Sequence, residues 1–360
     1  MKSIFRILAL VVVFTTLSMS AVMAGNDARR GTAGASELLI NPWAHSSGWG
    51  TASVANVQGL DAFYSNIAGL SFTNKMEVGY TNTMLYGGKT GLSSGAIMNS
   101  FGLAVRVFES GVMGVSVSAM SFGDIPVTSV SSPEAGMNGT FSPSLMNINI
   151  AYAHSFTRSV HGGFNIKVIT ESTDNVSATA IAFDAGIQYV TGANDELKFG
   201  ISLKNIGFGM SYEGSGLSFS FVNENGNNMT AEYRSSDMEM PTCLNIGLSY
   251  DFLFEKWNQR LTVAGAFTSN AFLKDNFGLG LEYSVLDMVQ LRCGYVYQTD
   301  IFSESDRTTS NTGLCAGASV DVPLSKKDKD GKNTALRIDY SYRNAAPLKG
   351  THSIGASLNF

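Results

Sequence analysis

The chain has 360 residues, of which 38 are glycine and only 15% are charged, and its formal net charge is −5. Soluble domains of this size carry more charge, since roughly a quarter of their residues are Asp, Glu, Lys or Arg. The mild negative charge gives no reason to expect nucleic acid as a partner.

The first 24 residues have the organisation of a secretory signal peptide. Lys2 and Arg6 precede an apolar run from residue 7 to 17, and small residues ending at Ala24 suit cleavage before Gly25. The apolar run is too short for a comfortable membrane span. We therefore expect residues 1–24 to be removed and the mature chain to begin near Gly25.

Residues 25–75 form the second predicted part of the chain. Between residues 31 and 72 the sequence is rich in Gly, Ala and Ser, without sustained alternation of apolar and polar positions. Some forty residues of this kind ahead of the first strand favour a hatch or plug inside a barrel. We predict an N-terminal hatch over residues 25–75.

From residue 76 onwards, segments with the two-residue alternation of β-strands are separated by turn-rich stretches. About fourteen can be counted, an even number, as single-chain bacterial barrels require. We therefore predict an all-β fold, a transmembrane antiparallel β-barrel of about 14 strands over residues 76–360. The segments lie near 76–84, 99–108, 111–122, 145–156, 159–170, 179–191, 196–206, 241–252, 260–269, 276–286, 288–299, 313–323, 334–343 and 352–360.

The lengths of the connections predict the orientation of this barrel. Outer-membrane barrels have short periplasmic turns and longer extracellular loops. If the N-terminus is periplasmic, the short connections fall largely on the periplasmic side and the long ones on the outer side. This alternation predicts that the protein is located in the cell outer membrane. The expected outer connections are 85–98, 123–144, 171–178, 207–240, 300–312 and 344–351, with 270–275 a shorter member.

Charged residues inside the strands keep one register, opposite the apolar positions. A Lys or Arg on the lipid face near mid-membrane would cost roughly 2 to 4 kcal/mol. The charges are of mixed sign, whereas a selective ion pore usually has one dominant sign at its constriction. We therefore favour paired charges that brace a narrow or plugged lumen over an ion-selective channel. The candidate lumen charges are Arg106, Asp184, Lys198, Glu282, Arg292, Arg337, Asp339 and Arg343.

The outer connection 207–240 mixes apolar residues with Gly, Ser and Asn. This composition suits a protein-binding surface or a capped hairpin above the membrane. The same apolar residues could instead form a groove for an apolar ligand. The candidate partner-binding residues of this loop are Phe208, Tyr212, Phe219 and Phe221.

The last ten residues have the pattern of a closing barrel strand. Ile354, Leu358 and Phe360 are predicted to face lipid, while Ser353 and Asn359 face inward. The C-terminal aromatic also resembles the sorting signal read by the bacterial barrel-assembly machinery.

The hatch region resembles the PorV/PorQ family of Bacteroidota outer-membrane proteins, which is related in fold to FadL-type fatty-acid channels. The matching features are the small-residue opening 31–39, the stretch 44–55, and residues 64–70, which are similar to the family's Tyr-x-Asn-Pro-Ala-Gly-Leu. Ile67 stands where the family has Pro, so ring geometry does not fix the turn here. The matching hatch-motif residues are Tyr64, Asn66, Ala68, Gly69 and Leu70.

This resemblance implies a FadL-like barrel and a non-enzymatic function. The family's best-known members act with the type IX secretion system, escorting or docking secreted proteins at the cell surface. We therefore predict a docking component of a secretion or outer-membrane assembly complex, in contact with outer-membrane lipid and another secretion or assembly protein. The alternative is a FadL-like passive channel, in which the hatch binds a hydrophobic small molecule.

No catalytic, cofactor or metal site is expected. The four histidines are dispersed, and the sequence has no Gly-x-Ser-x-Gly elbow. Cys243, Cys293 and Cys315 lack metal-ligand spacing. The stretch Asp328-Lys329-Asp330-Gly331 has a calcium-loop core, but interleaved lysines and the missing bidentate Glu favour a solvated turn.

Overall fold

The computed structural model describes residues 29–87, 95–134, 139–286, 288–303, 305–325 and 334–360. The predicted signal peptide and the predicted solvated turn at 328–331 lie outside the described residues. Within the described ranges, no helix has the length and apolar character needed to cross a membrane.

Short helical turns precede the strands. They are Ser36–Leu39, the single α-helical turn Ala44–Ser47, Ala52–Val54, Gly59–Phe63 and Ile67–Phe72. Two further short turns lie later in the chain, at Ser215–Leu217 and Glu255–Trp257. The strands in chain order are β1 Met76–Leu85, β2 Ala96–Arg106, β3 Gly111–Ser121, β4 Ile125–Pro126, β5 Thr140–Phe141, β6 Ser144–Ser155, β7 Val160–Thr173, β8 Val176–Thr191, β9 Leu197–Gly207, β10 Ser218–Val222, β11 Asn228–Glu232, β12 Cys243–Phe254, β13 Gln259–Asn270, β14 Asn276–Val285, β15 Val289–Gln298, β16 Gly313–Pro323, β17 Ala335–Arg343 and β18 Thr351–Asn359.

Fourteen of these strands form one closed antiparallel barrel. The first and last barrel strands close it, with Glu77 of β1 opposite Asn359 of β18 and Tyr80 opposite Ala356. The remaining strands form two small hairpins outside the wall, β4 with β5 and β10 with β11. The predicted 14-strand transmembrane-type barrel fold is therefore confirmed, and each predicted barrel segment overlaps one barrel strand.

Side chains alternate across the wall as the sequence predicts. In β14, Leu279, Leu281 and Tyr283 lie on the outer face, while Glu282 and Ser284 are buried on the inner face. A barrel wall in lipid requires this arrangement, because apolar side chains face hydrocarbon and polar ones face the interior.

The two ends of the barrel differ in their connections. At the long-loop end lie the connections 86–95, 122–143, 208–242 and 299–312, whereas the short-turn end has turns such as 107–110 and 156–159. One predicted outer connection was wrong in length: 171–178 reduces to Asp174–Asn175, because β7 and β8 continue pairing up to Thr173 opposite Val176. The polar residues there extend a hairpin instead of forming a loop.

The chain ahead of β1 passes through the barrel from one end to the other. Ala33 forms a bridge with Glu239 in the long connection 208–242, while the Lys75 amide donates to the Phe360 carbonyl at the short-turn end. We call residues 34–74 the luminal segment. A periplasmic N-terminus was predicted, but residues 29–34 lie at the long-loop end. The chain reaches the start of β1 at the opposite end only because the luminal segment crosses the lumen.

Candidate functional site

The luminal segment is packed against the inner wall around nearly the whole barrel. Inward-facing glycines bring the wall within contact of the segment: a Cβ at Gly102 would lie 2.7 Å from the Trp43 ring, and one at Gly280 would lie 2.5 Å from Trp49. We call these positions the glycine belt. Its members are Gly79, Gly102, Gly114, Gly163, Gly186, Gly200, Gly247, Gly278, Gly280, Gly294, Gly317 and Gly355.

Asn66 joins the luminal segment to the wall. Its Oδ1 accepts the Ala68 amide at 3.2 Å, capping the helical turn Ile67–Phe72. Its Nδ2 donates to the carbonyl oxygens of Val54 and of Ile187 in β8, each at 3.0 Å. The turn that a proline would have stiffened is thus held here by a side-chain cap.

The other hatch-motif residues lie in the packed interior of the segment. Ala68 and Leu70 are completely buried. Gly69 lies against the Val57 carbonyl, where a Cβ would be 2.3 Å from the oxygen. The Tyr64 hydroxyl donates to the Leu39 carbonyl at 2.8 Å. The structure therefore brings the five motif residues into one part of the lumen.

Most of the predicted lumen charges are paired on the inner wall. Asp184 lies 2.7 Å from Lys167, and Lys198 lies 2.7 Å from Asp251. Glu282 contacts Arg292 at 2.7 Å and Arg260 at 3.1 Å. Arg337 lies 2.8 Å from Asp321, and Asp339 lies 3.1 Å from His45 of the luminal segment.

Arg106 and Arg343 are held differently, by backbone carbonyls of the luminal segment. Arg106, at the short-turn end, donates to Ser71 O at 2.8 Å and to Asn74 O at 2.6 Å. Arg343, near the long-loop end, donates to Asn41 O at 3.0 Å. The two arginines thus tie opposite ends of the luminal segment to the wall.

The four residues singled out in the loop 207–240 do not form one surface. Tyr212 donates to Glu171 of β7 and packs against a buried apolar cluster to which Met210 belongs. Phe208 is 71% exposed. Phe219 and Phe221 lie on β10, 5.9 Å apart between ring centroids.

An apolar group lies at the long-loop end beside the start of the luminal segment. We call it the apolar mouth; it consists of Leu85, Ala96, Met98 and Met120, with Ile40, Tyr86, Phe122 and Leu145 packed on it. It continues into a cavity of about 30 Å³, the Trp43 cavity, whose lining includes Met98, Met120, Ile40, Trp43 and Phe63. A volume of this size has room for about two water molecules.

Glu37 lines the Trp43 cavity and was not singled out from the sequence. It is 7% exposed, and neither carboxylate oxygen accepts a hydrogen bond from the described residues. Burial, and then the charge of neighbouring Glu171, raises the pKa of Glu37 to about 7. In the sequence, Glu37 stands out only as a single carboxylate between small residues and Leu38-Leu39. Periodicity cannot show which residues of the folded chain lie opposite this carboxylate.

A second cavity, of about 90 Å³, also borders Tyr64 and lies between the luminal segment and the wall from β9 to β17. We call it the Arg343 cavity. Its lining includes Asn41, Tyr64, Lys204, Asn245 and Arg343. It has room for about six water molecules.

The described residues contain no group of three or more His, Cys, Asp or Glu placed to hold a metal ion. The functional candidates are therefore the two cavities, the apolar mouth and the luminal segment.

Comparisons with known proteins bear on the fold. No protein-family model matches the sequence. No curated protein matches it. Among solved structures, the monoaromatic hydrocarbon channel CymD is 14% identical, with 89% of this chain and 98% of that chain covered and a TM-score of 0.54.

Two further similar structures are forms of TodX. The toluene transporter TodX of P. putida is 13% identical, over 89% of this chain and 99% of that chain, with a TM-score of 0.52. A deltaS2S3 mutant of TodX, a monoaromatic hydrocarbon channel, is 14% identical, over 88% and 98% of the two chains, with a TM-score of 0.55. At this identity the likeness is one of fold, and the barrel is FadL-like as predicted.

Proposed function

We propose that the protein is a passive outer-membrane channel for small hydrophobic molecules, with the luminal segment closing it at rest. The observation that carries this proposal is the apolar mouth, which continues into the Trp43 cavity beside the luminal segment. Small-molecule sites combine apolar surface with polar groups. The Trp43 cavity has apolar residues such as Trp43 and Phe63 beside polar ones such as Glu37, Asn149 and Lys167. The similar structures are hydrocarbon channels, which favours this function over docking.

Passage requires movement of the luminal segment. The Trp43 cavity is too small for an aromatic molecule, and at the glycine belt the luminal segment lies in direct contact with the wall. A ligand entering at the apolar mouth would first contact Ile40, Met98 and Met120. Displacing the segment near Ile40 and Trp43 would enlarge the cavity towards the lumen.

The proposal includes the cellular location. We infer that residues 1–24 direct export and are removed, that residues 25–75 act as the hatch, and that the long-loop end faces outward. Aromatic residues on the outer face, such as Tyr80, Tyr189 and Tyr283, suit the interfaces of a membrane.

Binding of toluene to the detergent-purified full chain tests the proposal. Trp43 lines the cavity, so its fluorescence should change on titration with toluene, and the change should be absent in Trp43→Phe. Met120→Asp should weaken binding, because it places a carboxylate in the apolar mouth. Met229→Asp, on the exposed hairpin, is the matched control. Absence of any saturable change, or equal affinity in both Asp variants, would refute this site.

The second candidate is the docking function implied by the PorV/PorQ resemblance. One feature favours it: Phe219, Phe221 and Tyr233 form an exposed aromatic strip on the hairpin β10–β11, with the Phe219 and Tyr233 rings 4.4 Å apart. Exposed aromatic clusters are typical of protein interfaces. The comparisons bring no support for membership of that family, for type IX secretion or for a Bacteroidota source, so we rank docking second.

A further inference from the structure

Two cations on the inner wall, Lys204 and Arg343, have no carboxylate partner among the described residues. The other inward-facing wall cations are matched: Lys167, Lys198, Arg260, Arg292 and Arg337 each contact an Asp or Glu. Arg106 is the remaining exception, and four backbone carbonyls surround it. Lys204 and Arg343 therefore stand apart from the general pairing of the lumen.

Lys204 and Arg343 line the same cavity. The rest of the described lining of the Arg343 cavity consists mostly of hydrogen-bonding residues, with apolar ones such as Leu39 and Val296 among them, and includes no Asp or Glu. Its polar members are Asn41, Thr51, Tyr64, Ser65, Asn245, Thr268, Asn270, Asn276, Thr309, Asn311 and Asn344. This is the composition of a pocket that neutralises negative charge, because both formal charges at its surface are positive.

The polar atoms of this lining are incompletely satisfied. Arg343 Nε and Thr51 Oγ1 are both buried, and neither has a hydrogen-bond partner within the described part of the chain. Lys204 is 5% exposed, and its ammonium group lies over the Tyr64 ring, with Nζ 3.8 Å from the centroid. The Tyr64 phenol donates to the Leu39 carbonyl, so it keeps its proton in this contact and provides no counter-charge.

We propose that the Arg343 cavity binds a small oxyanion, such as the carboxylate or phosphate group of a hydrophilic solute. A buried cation without a counter-charge is unfavourable, and an oxyanion would supply charge-assisted hydrogen bonds to both cations. The surrounding carboxamides and hydroxyls can donate to its remaining oxygens.

The position of the cavity gives such a solute access from the long-loop end. Leu273, Thr309 and Asn311 belong to connections at that end, and Asn344 follows β17 there. The site does not depend on hydrocarbon passage, since its lining is polar and the apolar mouth is not part of it. Failure of toluene binding would therefore leave it untouched.

Calorimetric titration of the detergent-purified full chain with inorganic phosphate, and separately with acetate, tests the site. We expect binding of at least one of these anions at one site per chain. Lys204→Gln and Arg343→Gln should each weaken binding at least tenfold. Lys256→Gln removes the same charge from an exposed turn and should leave the affinity unchanged.

Thermal unfolding separates a binding role from a structural one. In wild type the anion should raise the unfolding midpoint, and in Lys204→Gln this rise should disappear. Without anion, the midpoint of Lys204→Gln should not fall below that of wild type, because the change removes an uncompensated charge. If Arg343→Gln fails to assemble, Arg343→Lys replaces it in the test. This variant keeps the charge and should retain part of the affinity for the anion. Binding of neither anion, or wild-type affinity in Lys204→Gln, would overturn the proposal.

Discussion

The Asn66 carboxamide lies directly against Gly186 of β8, and a Cβ added at Gly186 would stand 2.0 Å from Asn66 Oδ1. The same carboxamide caps the turn Ile67–Phe72 and donates to the wall at Ile187. One contact thus couples the shape of the luminal segment to the close approach of the barrel wall.

We expect Gly186→Ala to destabilise the protein by roughly 1 to 3 kcal/mol, because the added methyl overpacks a filled contact. Gly265→Ala is the control: its Cβ would come no closer than 3.6 Å to a neighbour. Thermal unfolding in detergent measures both. Equal midpoints for the two variants would show that the wall is not tightly fitted to Asn66.

Leu281→Arg should impair membrane assembly. Leu281 is 49% exposed on the outer face of β14, and an arginine there near mid-membrane costs roughly 2 to 4 kcal/mol. Leu324→Arg, beyond the end of β16 at the short-turn end, should cost about 0 to 1 kcal/mol and assemble normally. Glu282→Gln should also assemble, since its side chain faces inward. Assembly yields from membrane fractions give the comparison, and equal yields for Leu281→Arg and Glu282→Gln would contradict the register.

The stability of the protein should fall as pH rises from about 4.5 to about 7 through the titration of Glu37. The pKa of Glu37 is raised from 4.5 to about 7, so the folded state binds this proton more tightly than the unfolded state. The effect amounts to at most about 3.4 kcal/mol, at 1.36 kcal/mol per pKa unit.

Glu37→Gln should therefore raise the unfolding midpoint at pH 8 and have little effect at pH 4.5, where Glu37 is protonated in the folded state. The exposed Glu109→Gln should keep the wild-type pH dependence. Midpoints measured across this range decide the matter. A wild-type and a Glu37→Gln curve that run parallel would show that Glu37 does not titrate there.

Deletion of residues 31–72 should raise single-channel conductance in planar bilayers, because a fourteen-strand barrel needs its interior filled. Deletion of the hairpin 218–232 is the control and should leave conductance near zero, since that hairpin lies outside the wall. If the 31–72 deletion assembles and still conducts no ions, another part of the chain blocks the lumen.

The double change Phe219→Ser and Phe221→Ser distinguishes docking from passage. If the protein docks a partner, the double change should release a co-purifying protein. The barrel should still assemble, because both side chains lie on a hairpin outside the barrel ladder. If the protein is a channel, toluene binding and the set of co-purifying proteins should both be unchanged. Val222→Ser, 63% exposed on the same strand, serves as the control.

Alternation was sufficient to predict the wall, because a strand between lipid and lumen must separate apolar from polar side chains along its whole length. The same signal was weaker where strands leave the membrane. At β7 and β8 the polar residues 171–178 were predicted to form a loop, but they continue the ladder as far as Thr173 and Val176. Composition cannot distinguish a solvated hairpin from a solvated loop.

The barrel, its strand number and the inward register of charges such as Glu282 and Arg337 follow from the sequence, since they depend on local periodicity and on the energetic cost of charge in lipid. The path of the luminal segment, the fit of Asn66 to Gly186, and the lack of a described carboxylate near Lys204 and Arg343 become visible only in the folded molecule. These depend on which distant residues meet across the lumen, and a period of two residues places a side chain on a face without specifying what lies opposite.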